Sequence, residues 1–73
     1  MNAEEMIQWR MRSPFVPFDI RLRNGESVRV QLPTSIAIGR KIPECAIYES
    51  AERLRFVAYR DIAEVVMAPA NGS

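Results

Sequence analysis

Residues 18–32 read FDIRLRNGESVRVQL, and this stretch decides the fold. Apolar residues alternate with polar or charged ones on both sides of Asn24-Gly25, a pattern typical of a hairpin with one buried face. A two-residue turn at Asn24-Gly25 would place Ile20 opposite Arg29 and mix apolar and charged side chains on one face. We therefore expect a longer loop.

A three-residue loop over 23–25 keeps all the apolar residues of the hairpin on one face. It places Gly25 at the left-handed position of a type I turn followed by a glycine bulge. The pairs that this loop predicts are Phe18–Val30, Ile20–Val28, Leu22–Glu26 and, on the outer face, Asp19–Arg29.

The rest of the chain predicts a helix, more short strands and a tail. Asn2 and Glu5 have the spacing of a capping box, and Ser13-Pro14 ends the helix, which we expect over 2–12. Pro33 interrupts the chain after the hairpin because proline donates no backbone hydrogen bond. We expect strands at 36–38, 45–49, 53–59 and 63–68, a one-turn helix at 60–62 and a loose tail at 69–73.

The opening of the predicted sheet carries a recognisable pattern, Pro-Phe-x-Pro-Phe-x-Ile-x-Leu-x-x-Gly. This pattern resembles the opening of a group of small uncharacterised bacterial proteins. Ile62 and Val65 match the Ile-x-x-Ile/Val pattern with which those proteins close. The order of elements is similar to that of SH3-like and Sm-like barrels. The residues that carry the opening are Pro14, Phe15, Pro17, Phe18, Ile20, Leu22 and Gly25.

This resemblance implies one mainly β domain over 1–73. A short helix would precede a barrel at 18–68, made of a five-stranded, strongly bent antiparallel sheet with a one-turn helix before its last strand. Sm-type RNA binders carry an asparagine in one loop and a glycine in another. The loops of this chain at roughly those places are 40–43 and 59–61, and they lack that asparagine and that glycine. The resemblance therefore implies the barrel fold more strongly than it implies an RNA-binding site.

The composition argues against enzyme chemistry. The chain has no histidine and one cysteine, Cys45, so neither a Ser-His-Asp nor a Cys-His arrangement can form. Its three glycines are far apart and form no phosphate cradle. We expect no catalytic residues, no cofactor and no metal. An acidic start and the lack of a long apolar run predict a cytoplasmic protein that binds no membrane.

Two binding hypotheses remain, and the first is a protein partner or a second copy of the chain. Small open barrels leave unpaired strand edges, which favour oligomers. Met6, Trp9 and Met11 would supply apolar contact from the helix if it docks on a partner. The alternative is that the helix covers the end of its own barrel.

The second hypothesis is RNA or single-stranded nucleic acid. Nine of the ten basic residues are arginines, although the net charge is only +1. Arg21 and Arg29 share the outer face of the hairpin, and Tyr59 beside Arg53 and Arg55 would offer a stacking platform if it faces outward. The alternative is a solvated sheet face.

Overall fold

The structure is a computed structural model that describes residues 1–69, so most of the predicted tail lies outside the described residues. Short 3₁₀ turns precede the third strand, at Pro33–Ser35, and the last strand, at Tyr59–Asp61. The second turn confirms the predicted one-turn helix, one residue earlier. The regular elements are α1 (Ala3–Arg10), β1 (Phe18–Leu22), β2 (Ser27–Val30), β3 (Ile36–Ile38), β4 (Glu44–Ser50), β5 (Arg53–Ala58) and β6 (Ile62–Met67).

The β1–β2 hairpin has the predicted register, with Phe18 opposite Val30 and Ile20 opposite Val28. The Leu22 N–H donates to the Glu26 carbonyl at 2.8 Å, which closes the predicted loop. Gly25 adopts φ +96°, a left-handed conformation that residues with a Cβ rarely adopt. The longer loop is therefore confirmed.

The strands form two three-stranded antiparallel sheets, in the orders β2-β1-β6 and β3-β4-β5. The five-stranded, bent sheet that the resemblance implied is wrong on this point, since residues 1–69 form six strands in two sheets, the number of strands that the residue pattern predicted. The break falls at Pro33–Ser35, where proline begins a 3₁₀ turn between β2 and β3. Among residues 1–69 no ladder joins the two sheets into a closed barrel.

The two sheets enclose a single apolar core that also receives the helix. Asn2 and Glu5 form the predicted capping box, while the helix ends at Arg10, before the predicted boundary. None of the helices among the described residues is long and apolar enough to cross a membrane. The buried core consists of Met6, Phe18, Ile20, Val28, Val30, Ile36, Cys45, Ile47, Val57, Tyr59 and Ile62.

Candidate interaction surface

The two hairpin arginines of the proposed nucleic-acid face are both engaged with carboxylates. Arg29 donates two hydrogen bonds to Asp19, at 2.7 and 3.0 Å, and Arg21 lies 3.2 Å from Glu64. The hydrogen bond from Arg29 lowers the pKa of the Asp19 carboxyl, and the same bond raises the pKa of Arg29. On the outer face of the first sheet, each of these two arginines is therefore paired with a carboxylate.

Arg53 and Arg55 belong to the other sheet, so the structure does not gather the four arginines on one face. Arg53 lies 3.4 Å from Glu49. Arg55 donates to Glu26, in the turn between β1 and β2, and lies 4.0 Å from Glu49. The hydrogen bond from Arg55 lowers the pKa of Glu26. These charges link β5 to the first hairpin.

Tyr59 belongs to the core, so the expectation that it faces outward as a stacking platform is wrong. It shares its side of the chain with Val57, and both are buried. Its hydroxyl donates to the Gly39 carbonyl at 2.5 Å, and burial raises its pKa. The ring therefore has no exposed face to offer a base.

The helix covers its own domain, as the alternative interpretation of Met6, Trp9 and Met11 predicted. Met6 is completely buried, and the Trp9 ring lies 5.4 Å from the ring of Phe18. The Arg12 guanidinium lies 4.4 Å from the Trp9 ring centre, a cation–π contact. Met11 is the exposed member of the set, with 69% of its surface accessible.

Three large apolar side chains are exposed together on the outer face of the second sheet, and the predicted site residues did not include them. Phe56, Tyr48 and Leu54 are 65%, 58% and 45% exposed. Tyr48 pairs with Leu54 across β4 and β5, and Ala46 pairs with Phe56. Alternation along the strands defines this outer face as Ala37, Glu44, Ala46, Tyr48, Leu54, Phe56 and Ala58.

Glu44 is the single charged residue of that outer face, which makes it unlike the charged outer face of the first sheet. The two hairpins differ because β4 and β5 carry apolar residues on both sides. Cys45 and Ile47 face the core, while Ala46 and Tyr48 face outward. This double apolar pattern is the signal in the sequence from which the surface could have been found.

The hydrogen bonds around β4 show which backbone N–H and C=O groups of β5 are hydrogen-bonded to β4 and which point to the open edge of β5. The Gly39 N–H donates to the Glu44 carbonyl at 3.1 Å, so the backbone of Glu44 faces β3. Successive residues in a strand turn their backbone groups to opposite edges. The backbones of Cys45 and its partner Val57 therefore exchange hydrogen bonds between β4 and β5.

The backbone groups of Leu54, Phe56 and Ala58 consequently point away from β4, toward the open edge of β5. The Tyr59 N–H donates to the Pro43 carbonyl at 3.1 Å, which agrees with this alternation. Within residues 1–69, β5 has β4 as its only strand neighbour. The edge thus presents unpaired N–H and C=O groups beside the exposed side chains of Leu54 and Phe56.

Cys45 is not a reactive thiol in this environment. It is buried, and burial raises its pKa to about 11, so the sulfur stays protonated near neutral pH. In the part of the chain that the structure describes, no group of three histidine, cysteine or carboxylate side chains is placed to hold a metal ion. No protein family, curated protein or solved structure matches the chain, so the exposed surface is interpreted from its own residues.

Proposed function

We propose that this chain is a non-catalytic interaction module that self-associates through its second sheet. The observation that carries the proposal is the cluster of Tyr48, Leu54 and Phe56, exposed together on a sheet face with one charged position. Removing such a cluster from water is favourable, and contiguous exposed apolar patches mark association surfaces. A net charge of +1 imposes little repulsion between two copies.

The order of the elements supports a further part of the proposal, an SH3-like arrangement of the strands. β2 and β3 would be the two halves of one bent strand, interrupted at the 3₁₀ turn Pro33–Ser35. A second 3₁₀ turn, Tyr59–Asp61, precedes β6, which returns to pair with β1. Small barrels of this kind keep open edges, and an open edge favours association with another strand.

Nucleic-acid binding is the weaker candidate. Arg21, Arg29, Arg53 and Arg55 each have a carboxylate within 4.0 Å. A phosphate would have to displace those carboxylates, whereas binding driven by phosphate contacts needs arginines and lysines that outnumber their acidic neighbours. The buried position of Tyr59 removes the proposed stacking partner as well.

Replacing Phe56 with lysine is expected to weaken self-association by about tenfold or more, because burying an aromatic side chain contributes about 1.5–3 kcal/mol. Static light scattering over a micromolar-to-millimolar dilution series measures the change in molar mass. Met11→Lys is the matched control, since it adds the same charge at another exposed apolar residue. The control should associate like the unmodified chain.

Two results of this experiment would contradict the proposal. The unmodified chain could scatter as a monomer of 8.4 kDa at every concentration, which would leave the exposed cluster without a second copy to cover it. Alternatively, the Phe56→Lys and Met11→Lys variants could associate equally, which would place the contact away from the second sheet.

A further inference from the structure

We infer that two copies join edge to edge, with β5 of one copy antiparallel to β5 of the other and Phe56 on the twofold axis. The inference rests on the proposed self-association and specifies its geometry. The two three-stranded sheets β3-β4-β5 would then continue as one sheet across the contact. Their apolar outer faces would also become continuous.

The backbone of β5 is complementary to itself in this arrangement. Leu54, Phe56 and Ala58 turn their N–H and C=O groups to the open edge. The Ala58 C=O is also the N-cap carbonyl of the 3₁₀ turn Tyr59–Asp61, so it would accept from the second copy with its second lone pair. With Phe56 on the axis, Phe56 exchanges two hydrogen bonds with Phe56 of the second copy, and Leu54 exchanges two with Ala58 at each end. All the free groups of the edge are satisfied, and none of the β4–β5 ladder is disturbed.

The charges of β5 disfavour the registers centred on Leu54 and on Arg55. Moving the axis to Leu54 would set Arg53 opposite Arg55 of the second copy, and moving it to Arg55 would set that arginine opposite itself. Like charges directly opposite each other on neighbouring strands are destabilising. With the axis at Phe56, Arg55 lies opposite Val57 and Arg53 lies opposite Tyr59, so no arginines meet.

The other open edges are less suited to a second copy. β3 has three residues and β2 has four, whereas β5 has six. β6 is as long as β5, but its ladder with β1 is irregular at Arg21/Leu22, and its outer face carries Glu64, paired with Arg21. The β4–β5 ladder also shifts register, between Tyr48 and Ser50, but the extra residue lies in β4, so β5 itself is continuous and its outer face is uncharged.

The space beside β5 is also open to another strand. A groove of about 500 Å³ lies along it, between the β1–β2 turn and β5, and Leu22, Asn24 and Phe56 are among its lining residues. Arg55, which shares the core side of β5 with Val57, spans this groove to reach Glu26.

Disulfide trapping with single cysteines at Leu54 and Ala58 tests the register. These residues lie directly opposite each other between copies, with Cα atoms about 5.5 Å apart, which a disulfide spans. Each residue lies four positions from its own equivalent in the second copy, about 13 Å away, which a disulfide cannot span. Cys45 stays in place because it is buried.

We expect Leu54→Cys and Ala58→Cys to remain unlinked when each is oxidised alone in a glutathione buffer. An equal mixture should form a covalent dimer containing up to about half of the protein, the share of mixed pairs in a random twofold assembly. Non-reducing electrophoresis and intact mass measure the yield. Tyr48→Cys, exposed on the same face but in the central strand, should remain unlinked when it is mixed with either of the two variants.

The outcomes separate this inference from the function on which it rests. Light scattering of the unmodified chain as a monomer overturns both. A dimer by light scattering with no linkage in the mixture overturns the β5 register alone, as does linkage of either variant by itself. A larger assembly overturns the twofold arrangement, since edge pairing of β5 with itself closes at two copies.

Discussion

Replacing Phe18 with alanine is expected to cost about 3–5 kcal/mol of the free energy of unfolding, the range for truncating a buried aromatic side chain. Phe18 is completely buried at the start of β1 and is the largest of the fully buried side chains. It also lies within 5.4 Å of the Trp9 ring and 6.0 Å of the Phe15 ring. Its removal would loosen the helix and the first sheet together.

The loss is a large share of the total, since a domain of this length has roughly 4–11 kcal/mol of stability. Urea unfolding, followed by circular dichroism and by Trp9 fluorescence, measures it. Phe56→Ala is the matched control, because the same truncation at a side chain that is 65% exposed should cost less than about 0.5 kcal/mol in the monomer. Equal losses at Phe18 and Phe56 would contradict the assignment of the two faces.

Gly39→Ala is expected to destabilise the domain by about 2–3 kcal/mol through overpacking against the backbone. A Cβ at this position would lie 2.5 Å from the Glu44 carbonyl oxygen and 2.6 Å from that of Ile42. Both are backbone atoms, so the β3–β4 connection itself would have to move. The Gly39 carbonyl also accepts the hydrogen bond from Tyr59, which that movement would weaken.

Gly25→Ala provides the comparison, because it separates backbone conformation from crowding. Gly25 has φ +96° and no atom within 4 Å of an added Cβ, so its replacement should cost only about 1–2 kcal/mol. The midpoints of thermal unfolding for the two variants measure the difference. A Gly39→Ala variant as stable as the unmodified chain would contradict the close approach at Gly39.

The register of the first hairpin could be predicted because its two faces differ in chemistry. Arg29 and Asp19 belong to one face, and Ile20 and Val28 to the other, so a shift by one residue would bury charge. Gly25 then marked the loop that keeps this parity. The predicted pairs were confirmed because burial and turn geometry require the same register.

The orientation of β5 could not be predicted in the same way. Leu54 and Phe56 on one side compete with Val57 and Tyr59 on the other, and both sides are apolar enough to be buried. The hydrogen bond from Tyr59 to Gly39 joins residues far apart in the chain, and short-range patterns do not contain it. Tyr59 therefore faces the core, while Phe56 faces outward.

The docking of the helix and the division of the strands into two sheets also depended on tertiary contacts. A helix of eight residues is marginal alone, so its position follows from the surface that covers Met6. Pro33 indicated an interruption, but the split into two sheets follows from the 3₁₀ turn that it begins.

Amide hydrogen exchange of the unmodified chain tests edge pairing through β5 most directly. The N–H groups of Arg55 and Val57 are bonded within the sheet and should be protected at every concentration. The N–H groups of Leu54, Phe56 and Ala58 should exchange fast in dilute solution and become protected as the concentration rises, because a second copy then accepts their hydrogen bonds. Exchange of these three amides at the same rate in dilute and concentrated solution would contradict edge pairing through β5.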